Sequence, residues 1–158
     1  MVVNNSKDQN NCLICQKISQ IKKNKNPYFV IELESTYIVF GDYQFYKGYV
    51  VVLSKSHVPE LHFLPDLERQ KFMKEVIQVG EAIYDTFKPR KLNYEILGNE
   101  EPHLHCHIFP RYVNDLNPTM PVWVINKEIR NANEHKPDKA ELNKMRTALK
   151  GHIQKLIK

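Results

Sequence analysis

Two hydrophobic periods alternate along the chain. Apolar residues recur at every third or fourth position over 13–22, over 66–87 and over a last segment that begins at Asp138, and this period predicts three helices. Pro27 and Pro89 end the first two of them. Short runs rich in β-branched and aromatic residues predict five strands, at 30–33, 37–40, 49–53, 93–97 and 103–109.

These elements indicate an α+β fold in one domain. We expect an antiparallel sheet of about five strands, with one long central helix, a short N-terminal helix and a C-terminal helix. Asp66 and Asp138 each precede a helical segment, and their carboxylates are predicted to cap it. We expect a flexible N-terminal tail over residues 1–11 and a single domain over 12–158, because no linker or repeat interrupts the pattern.

The composition narrows the class of protein. With 42% hydrophobic and 26% charged residues, the chain resembles ordinary globular proteins. Its apolar runs are too short to cross a membrane and its start is unlike a secretory signal, so we expect a cytoplasmic protein. A net charge of +5 favours anionic ligands. Since the basic residues form no recognisable nucleic-acid-binding motif, we expect no nucleic acid as partner. Since the apolar runs are short, we also expect no membrane as partner.

Three histidines stand at alternate positions of the last predicted strand. Because a strand has a side-chain period of two, His103, His105 and His107 should share one face. The other face should be apolar and is formed by Leu104, Cys106 and Ile108. Imidazole serves as nucleophile, proton shuttle or metal ligand near neutral pH. A polar surface face and a simple three-histidine metal site are the alternatives.

Cys12 and Cys15 form a C-x-x-C pair in a chain with three cysteines. This number does not suggest a disulfide framework. The pair is typical of a metal knuckle or of a redox motif, and the redox motif would need a preceding strand. A metal site would need two more ligands, which histidines could supply.

The segment 98–112, GNEEPHLHCHIFPRY, strongly resembles the signature of the histidine-triad (HIT) superfamily of nucleotide hydrolases and transferases. Three further segments resemble family elements and occur in the family's order. Residues 12–15 are similar to its zinc knuckle, 39–42 to its ribose-contacting segment, and 51–58 to its strand-plus-histidine element. Residues 118–123, which follow Asp115, look most like the branch that hydrolyses dinucleoside polyphosphates.

The resemblance implies a HIT-like fold and assigns roles to four residues. It implies that His105 attacks the α-phosphorus to form a nucleotidyl-histidine, and that His107 holds a non-bridging α-phosphate oxygen. It further implies that Asp42 accepts hydrogen bonds from ribose hydroxyls and that Asn99 lies near the phosphate. As alternatives, Asp42 and Asn99 are ordinary turn residues.

The resemblance also implies a structural zinc ion and a homodimer. Cys12, Cys15, His57 and His103 match the four zinc ligands of many bacterial-type members. Such a closed tetrahedral set leaves no position for substrate. Alternatively, His57 only packs at a strand end and His103 only bonds locally. Candidate residues for the dimer contact lie on the long helix and are Met73, Ile77 and Tyr84.

One feature departs from the family pattern. Glu100 and Glu101 occupy a shortened turn where most members have a longer loop containing glycine and glutamine, and two carboxylates would repel a polyphosphate. We expect an enzyme that hydrolyses dinucleoside polyphosphates such as diadenosine tetraphosphate. The alternatives are a nucleoside phosphoramidase, or another nucleotidyl hydrolase of this superfamily, and a nucleotide-binding protein without turnover.

Overall fold

A computed structural model describes residues 9–157 and confirms the α+β fold with a five-stranded antiparallel sheet. Of the predicted tail, residues 1–8 lie outside the described residues, and Gln9–Asn11 form one turn of 3₁₀ helix. The strands are β1 (Phe29–Glu32), β2 (Thr36–Phe40), β3 (Val50–Ser54), β4 (Lys91–Glu95) and β5 (His105–Arg111). The helices are α1 (Leu13–Lys22), α2 (Asp66–Phe87), α3 (Lys127–Arg130) and α4 (Lys139–Leu156).

The sheet has the strand order β1-β2-β3-β5-β4, so that β5 lies inside the sheet between β3 and β4. In the β3–β5 pairing, Leu53 lies opposite His105 and Val51 lies opposite His107. Residues directly opposite each other point to the same face of the sheet. Two aliphatic side chains of β3 therefore adjoin the two imidazoles of β5.

The two faces of the sheet carry different layers. The main core lies between one face and the helices α2 and α4, and β5 contributes Cys106 and Ile108 to it, both fully buried. On the opposite face, α1 packs through Ile14, Ile18 and Ile21. The predicted apolar face of the histidine strand is thus confirmed, and the histidines point toward the side covered by α1.

The two predicted helix caps have different outcomes. Asp138 caps α4, because its carboxylate accepts a hydrogen bond from the backbone N–H of Glu141 over 2.8 Å. The prediction for Asp66 is wrong. Asp66 is already inside α2 behind Pro65, and its carboxylate instead accepts bonds from the side chains of Arg69 and Gln70 at 2.8 and 2.7 Å.

The predicted bounds of the last two strands are shifted by two residues. β5 begins at His105 rather than His103, because the backbone N–H of Leu104 bonds to Val58 outside the sheet ladder. It continues to Arg111, which pairs with Lys91, and β4 consequently begins earlier than its hydrophobic pattern indicates. Among the described residues, no helix has both the length and the apolarity that a membrane crossing requires.

Candidate functional site

A pocket of about 300 Å³ lies between α1 and the strands β2, β3 and β5. His105 and His107 line it together, and the acidic residues Asp42 and Glu101 also line it. Its apolar wall comes mainly from α1, β2 and β3 and includes Leu13, Ile14, Val39, Val51 and Leu53. A wider groove of about 730 Å³ runs along β4 and contains neither histidine.

His105 is buried and held from behind by the backbone. Its Nδ1 lies 2.6 Å from the carbonyl oxygen of His103. A carbonyl only accepts, so Nδ1 carries the hydrogen and the lone pair of a neutral ring is on Nε2. Burial lowers the pKa of His105, which keeps the ring neutral near pH 7. The side chain therefore presents a nucleophilic nitrogen on the pocket side.

His107 lies beside His105 on the same face of β5. The two Nε2 atoms are 3.0 Å apart, and the Nδ1 of His107 lies 2.7 Å from the hydroxyl of Tyr49. Burial, together with the neighbouring His105, lowers the pKa of His107 to about 3. His107 is therefore a neutral hydrogen-bonding group at physiological pH.

Aromatic rings surround His107. Tyr49 stacks on Phe109 with centroids 4.1 Å apart and planes at 10°. The indole of Trp123 meets His107 edge-on at 5.9 Å, and its N–H donates to the carboxylate of Glu95. These contacts restrict the rotation of the His107 side chain and exclude water from one side of it.

All four predicted metal ligands converge in one cluster, and none of them is among the residues that line the pocket. The ligand atoms of Cys12, Cys15, His57 and His103 all lie within 4.8 Å of one another. The Nδ1 of His103 is 3.4 Å from each sulfur atom and 3.1 Å from the Nδ1 of His57. Tetrahedral zinc would separate such atoms by about 3.6 Å (S to N) and about 3.3 Å (N to N). The donor set and its spacing therefore fit a metal ion.

Surrounding contacts orient the cluster. His103 donates its Nε2–H to the carbonyl of Ser54 over 2.9 Å, which directs the lone pair of Nδ1 toward the cluster. Burial lowers the pKa of His103 to about 4, so the ring is neutral and able to ligate. The sulfur of Cys12 also accepts a bond from the N–H of Cys15 at the start of α1. The cluster thus ties α1 to the residues before β5.

His103 does not lie on the strand, although the sequence pattern had predicted that it would. It precedes β5, and its backbone N–H bonds to Glu101 over 2.8 Å. Its ring nevertheless lies on the predicted side of the sheet, which α1 covers, and contacts Cys12 and Cys15. Two histidines consequently line the pocket, and the third belongs to the metal cluster.

Asp42 lines the pocket just beyond β2 and forms an ion pair with Lys17 of α1. The ammonium group of Lys17 lies 3.0 and 3.2 Å from its two carboxylate oxygens. Lys17 is on α1, three positions after Ile14, and helical spacing places the two on one face. That spacing is the signal that could have identified Lys17 as a pocket residue.

In the turn before β5, some residues are exposed at the surface and one lines the pocket. Asn99 is exposed and is not among the residues lining the pocket with His105 and His107, and Glu100 is exposed. Glu101 lines the pocket, and its carboxylate accepts a bond from the N–H of Leu13 over 3.3 Å. The role of Asn99 near a phosphate stays a prediction.

Comparisons with known proteins agree with this geometry. A sequence model of the HIT domain matches residues 22–114. Protein hit of Bacillus subtilis (strain 168) is 29% identical over 107 residues, which are 65% of this chain and 72% of that protein.

Solved structures share the fold. A histidine triad protein from Bradyrhizobium japonicum has a TM-score of 0.70 at 23% identity, covering 85% of this chain and 95% of that chain. A zinc-bound histidine triad family protein from Mycobacterium smegmatis has a TM-score of 0.66 at 16% identity, covering 95% and 98%.

Proposed function

Because the chain belongs to the HIT domain family, we propose that it is a nucleotide hydrolase with His105 as nucleophile. Its substrates would be dinucleoside polyphosphates such as diadenosine tetraphosphate, cleaved at the α-phosphate. The observation that carries the proposal is the orientation of His105. The carbonyl of His103 holds the hydrogen on Nδ1, which leaves the Nε2 lone pair on the pocket side.

The reaction would proceed in two displacements. The Nε2 of His105 attacks the α-phosphorus, and the bond from that phosphorus to the bridging oxygen breaks, releasing a nucleoside polyphosphate. Water then attacks the nucleotidyl-histidine, cleaves the phosphorus–nitrogen bond and releases a nucleoside monophosphate. His107 would donate a hydrogen bond to a non-bridging oxygen in both steps, which stabilises the charge that develops there.

Asp42 and Asn99 would bind the nucleotide. Asp42 would accept hydrogen bonds from the ribose hydroxyls, since it lines the pocket together with His105 and His107. Lys17 would hold that carboxylate in place through their ion pair. Asn99, which is exposed in the turn before β5, would lie near the phosphate.

Zinc is the metal that the cluster would hold. Cys12, Cys15, His57 and His103 form a closed set of two thiolates and two imidazoles, as tetrahedral Zn²⁺ prefers. The likeness to the zinc-bound protein from Mycobacterium smegmatis supports this proposal. Bound zinc would supply structural bracing of α1 and of the residues before β5.

One observation favours a nucleoside phosphoramidase as second candidate. The carboxylate of Glu101 lines the pocket near His105. It would repel a long, highly charged leaving group more than a neutral amine. A phosphoramidate substrate would use the same attack by His105 with a different leaving group.

A substrate panel with a trapping arm tests the proposal. We expect release of a nucleoside monophosphate from diadenosine tetraphosphate, and a covalent nucleotidyl-protein after rapid acid quench that is absent from His105→Asn. Faster turnover of an adenosine phosphoramidate would replace the first candidate with the second. Tight binding of adenosine monophosphate without turnover or adduct would show a binding protein and overturn both.

We also infer a two-fold homodimer formed through α2 and the sheet edge at β4. Ile77 and Tyr84 are 59% and 50% exposed on α2, and Tyr94 of β4 is 47% exposed. Tyr94 packs against Gly80, between those two helical residues, so the three side chains form one apolar patch. Met73, in contrast, packs against the core of its own chain. An edge strand beside such a patch favours pairing with a second copy.

A further inference from the structure

Tyr49 is a residue of the pocket whose role neither the sequence nor the proposed reaction explains. It directly precedes β3, and its ring lies over Gly41, where an added Cβ would come within 2.1 Å of the ring carbon Cδ1. The other face of the ring stacks on Phe109. The hydroxyl is held 2.7 Å from the Nδ1 of His107.

The three short contacts around the imidazoles form one chain of hydrogen bonds. It runs from the hydroxyl of Tyr49 to Nδ1 of His107, from Nε2 of His107 to Nε2 of His105, and from Nδ1 of His105 to the carbonyl of His103. The distances are 2.7, 3.0 and 2.6 Å. Each contact is short enough to require a hydrogen between its two atoms.

The carbonyl of His103 fixes the direction of this chain. Because the carbonyl can only accept, Nδ1 of His105 donates, and the Nε2 of a neutral His105 must accept. His107 therefore carries its hydrogen on Nε2, and its Nδ1 accepts from Tyr49. Reversing the direction would give His105 two hydrogens and a positive charge, which is unfavourable for a residue that is only 8% exposed. Burial also raises the pKa of Tyr49, so its hydroxyl remains protonated and able to donate.

We propose that Tyr49 is a positioning residue that holds His107 in the tautomer with hydrogen on Nε2. The inference rests on the proposed function for its purpose, because that tautomer alone lets a neutral His107 donate to a phosphate oxygen. In the other tautomer, the lone pair of Nε2 faces the same oxygen and repels it. Tyr49 would therefore act on the chemical step through His107, without touching the substrate's phosphorus.

The tautomer can be read in the free protein without any substrate. Long-range ¹H–¹⁵N correlation spectra of histidine-labelled protein show which ring nitrogen of His107 carries the hydrogen. We expect hydrogen on Nε2 alone in the parent, and a mixture of both tautomers in Tyr49→Phe. Hydrogen on Nδ1 in the parent, or an unchanged single tautomer in Tyr49→Phe, would overturn the proposal. The parent measurement needs no variant, so it holds even if Tyr49→Phe does not fold.

The second test measures kcat and KM for whichever substrate the parent protein hydrolyses. In Tyr49→Phe we expect kcat to fall about tenfold, the loss of about one hydrogen bond, with KM unchanged within about twofold. Tyr112→Phe is the matched control, since it removes a hydroxyl that bonds to the carbonyl of Lys47 outside the pocket. We expect the control to keep both kcat and the His107 tautomer. An unchanged kcat in Tyr49→Phe would refute the positioning role. A parent protein without turnover would refute the proposed hydrolase function, and the spectra would still show which tautomer His107 adopts.

Discussion

The carbonyl oxygen of His103 accepts a hydrogen bond from Nδ1 of His105 over 2.6 Å. The same residue points its ring at Cys12 and Cys15, so one residue has its side chain in the metal cluster and its backbone on the proposed nucleophile. Displacement of His103 would therefore shift the Nε2 of His105, although the cluster does not open into the pocket.

Replacement of His105 tests the nucleophile. We expect His105→Asn to lower kcat by at least about 10³-fold and to change the affinity for adenosine monophosphate by less than about tenfold, because a nucleophile acts mainly on the transition state. Steady-state kinetics and calorimetric titration measure the two effects. His62→Asn, an exposed histidine outside the pocket, is the control and should behave like the parent. Substantial turnover by His105→Asn would refute the assignment.

Metal content tests the cluster. We expect about one zinc per chain by elemental analysis, and Cys12→Ser and Cys15→Ser should lose the metal and about 10 °C or more of Tm. Cys106→Ala is the matched control, because this buried third cysteine lies in the main core. It should be less stable than the parent yet keep its zinc. Metal-free parent protein, or thiol variants that melt like the parent, would contradict the prediction.

The low pKa of His107 predicts acid sensitivity. In the unfolded chain, the histidine takes up a proton as the pH falls below about 6.5, whereas in the folded chain it stays neutral until about pH 3. The free energy of unfolding should therefore fall with decreasing pH across this window.

Urea denaturation between pH 7 and pH 5 measures this effect. The slope of unfolding free energy against pH should be smaller in His107→Gln, which keeps a neutral hydrogen-bonding side chain but cannot take up the proton. Equal slopes in parent and variant would show that His107 titrates normally in the folded protein.

Two glycines predict opposite outcomes for the same substitution. An added Cβ at Gly41 would lie 2.1 Å from the ring of Tyr49, whereas at Gly151, inside α4, it would meet no atom within 4 Å. We expect Gly41→Ala to displace Tyr49 and reduce turnover. Gly151→Ala should raise the unfolding free energy by about 0.5–1 kcal/mol, because alanine favours the helix. Thermal melts and the hydrolysis assay on both variants check this; an active, stable Gly41→Ala would contradict it.

The apolar patch predicts the effect of charge on assembly. Ile77→Arg and Tyr84→Arg should convert a dimer into a monomer of about half the mass in sedimentation or light scattering. Leu67→Arg is the control, since Leu67 is 71% exposed on the same helix but lies in its first turn, away from Tyr94. A parent protein that is monomeric near 18.7 kDa at micromolar concentration would refute the dimer.

Local patterns in the sequence were sufficient to predict the layers of the fold. The period of two in β5 correctly separated Cys106 and Ile108 from His105 and His107, because alternation depends only on an extended backbone. It did not predict where β5 begins, because the start of the strand depends on bonds to residues far away in the chain, such as that from Leu104 to Val58. No local signal predicts such a contact.

The side chains that contact His107 could also be predicted only in part from the sequence. Tyr49, Val51 and Leu53 alternate, so the sequence could place Tyr49 on the pocket side of β3. Its hydrogen bond to His107 depends on the pairing of β3 with β5 and on the space above Gly41. These are tertiary relationships, which a period along a single chain does not contain.

The pocket that contains His105 and His107 forms only when β3 and β5 pair in the correct register. In this register, Leu53 lies opposite His105, and Val51 lies opposite His107. Side chains along each strand alternate between the two faces with a period of two residues. A slip by one residue would move both imidazoles into the main core and bring Cys106 and Ile108 to the pocket. A chain with this pairing error would lose its core and its two histidines at once. Loss of the pocket therefore accompanies this error in strand pairing.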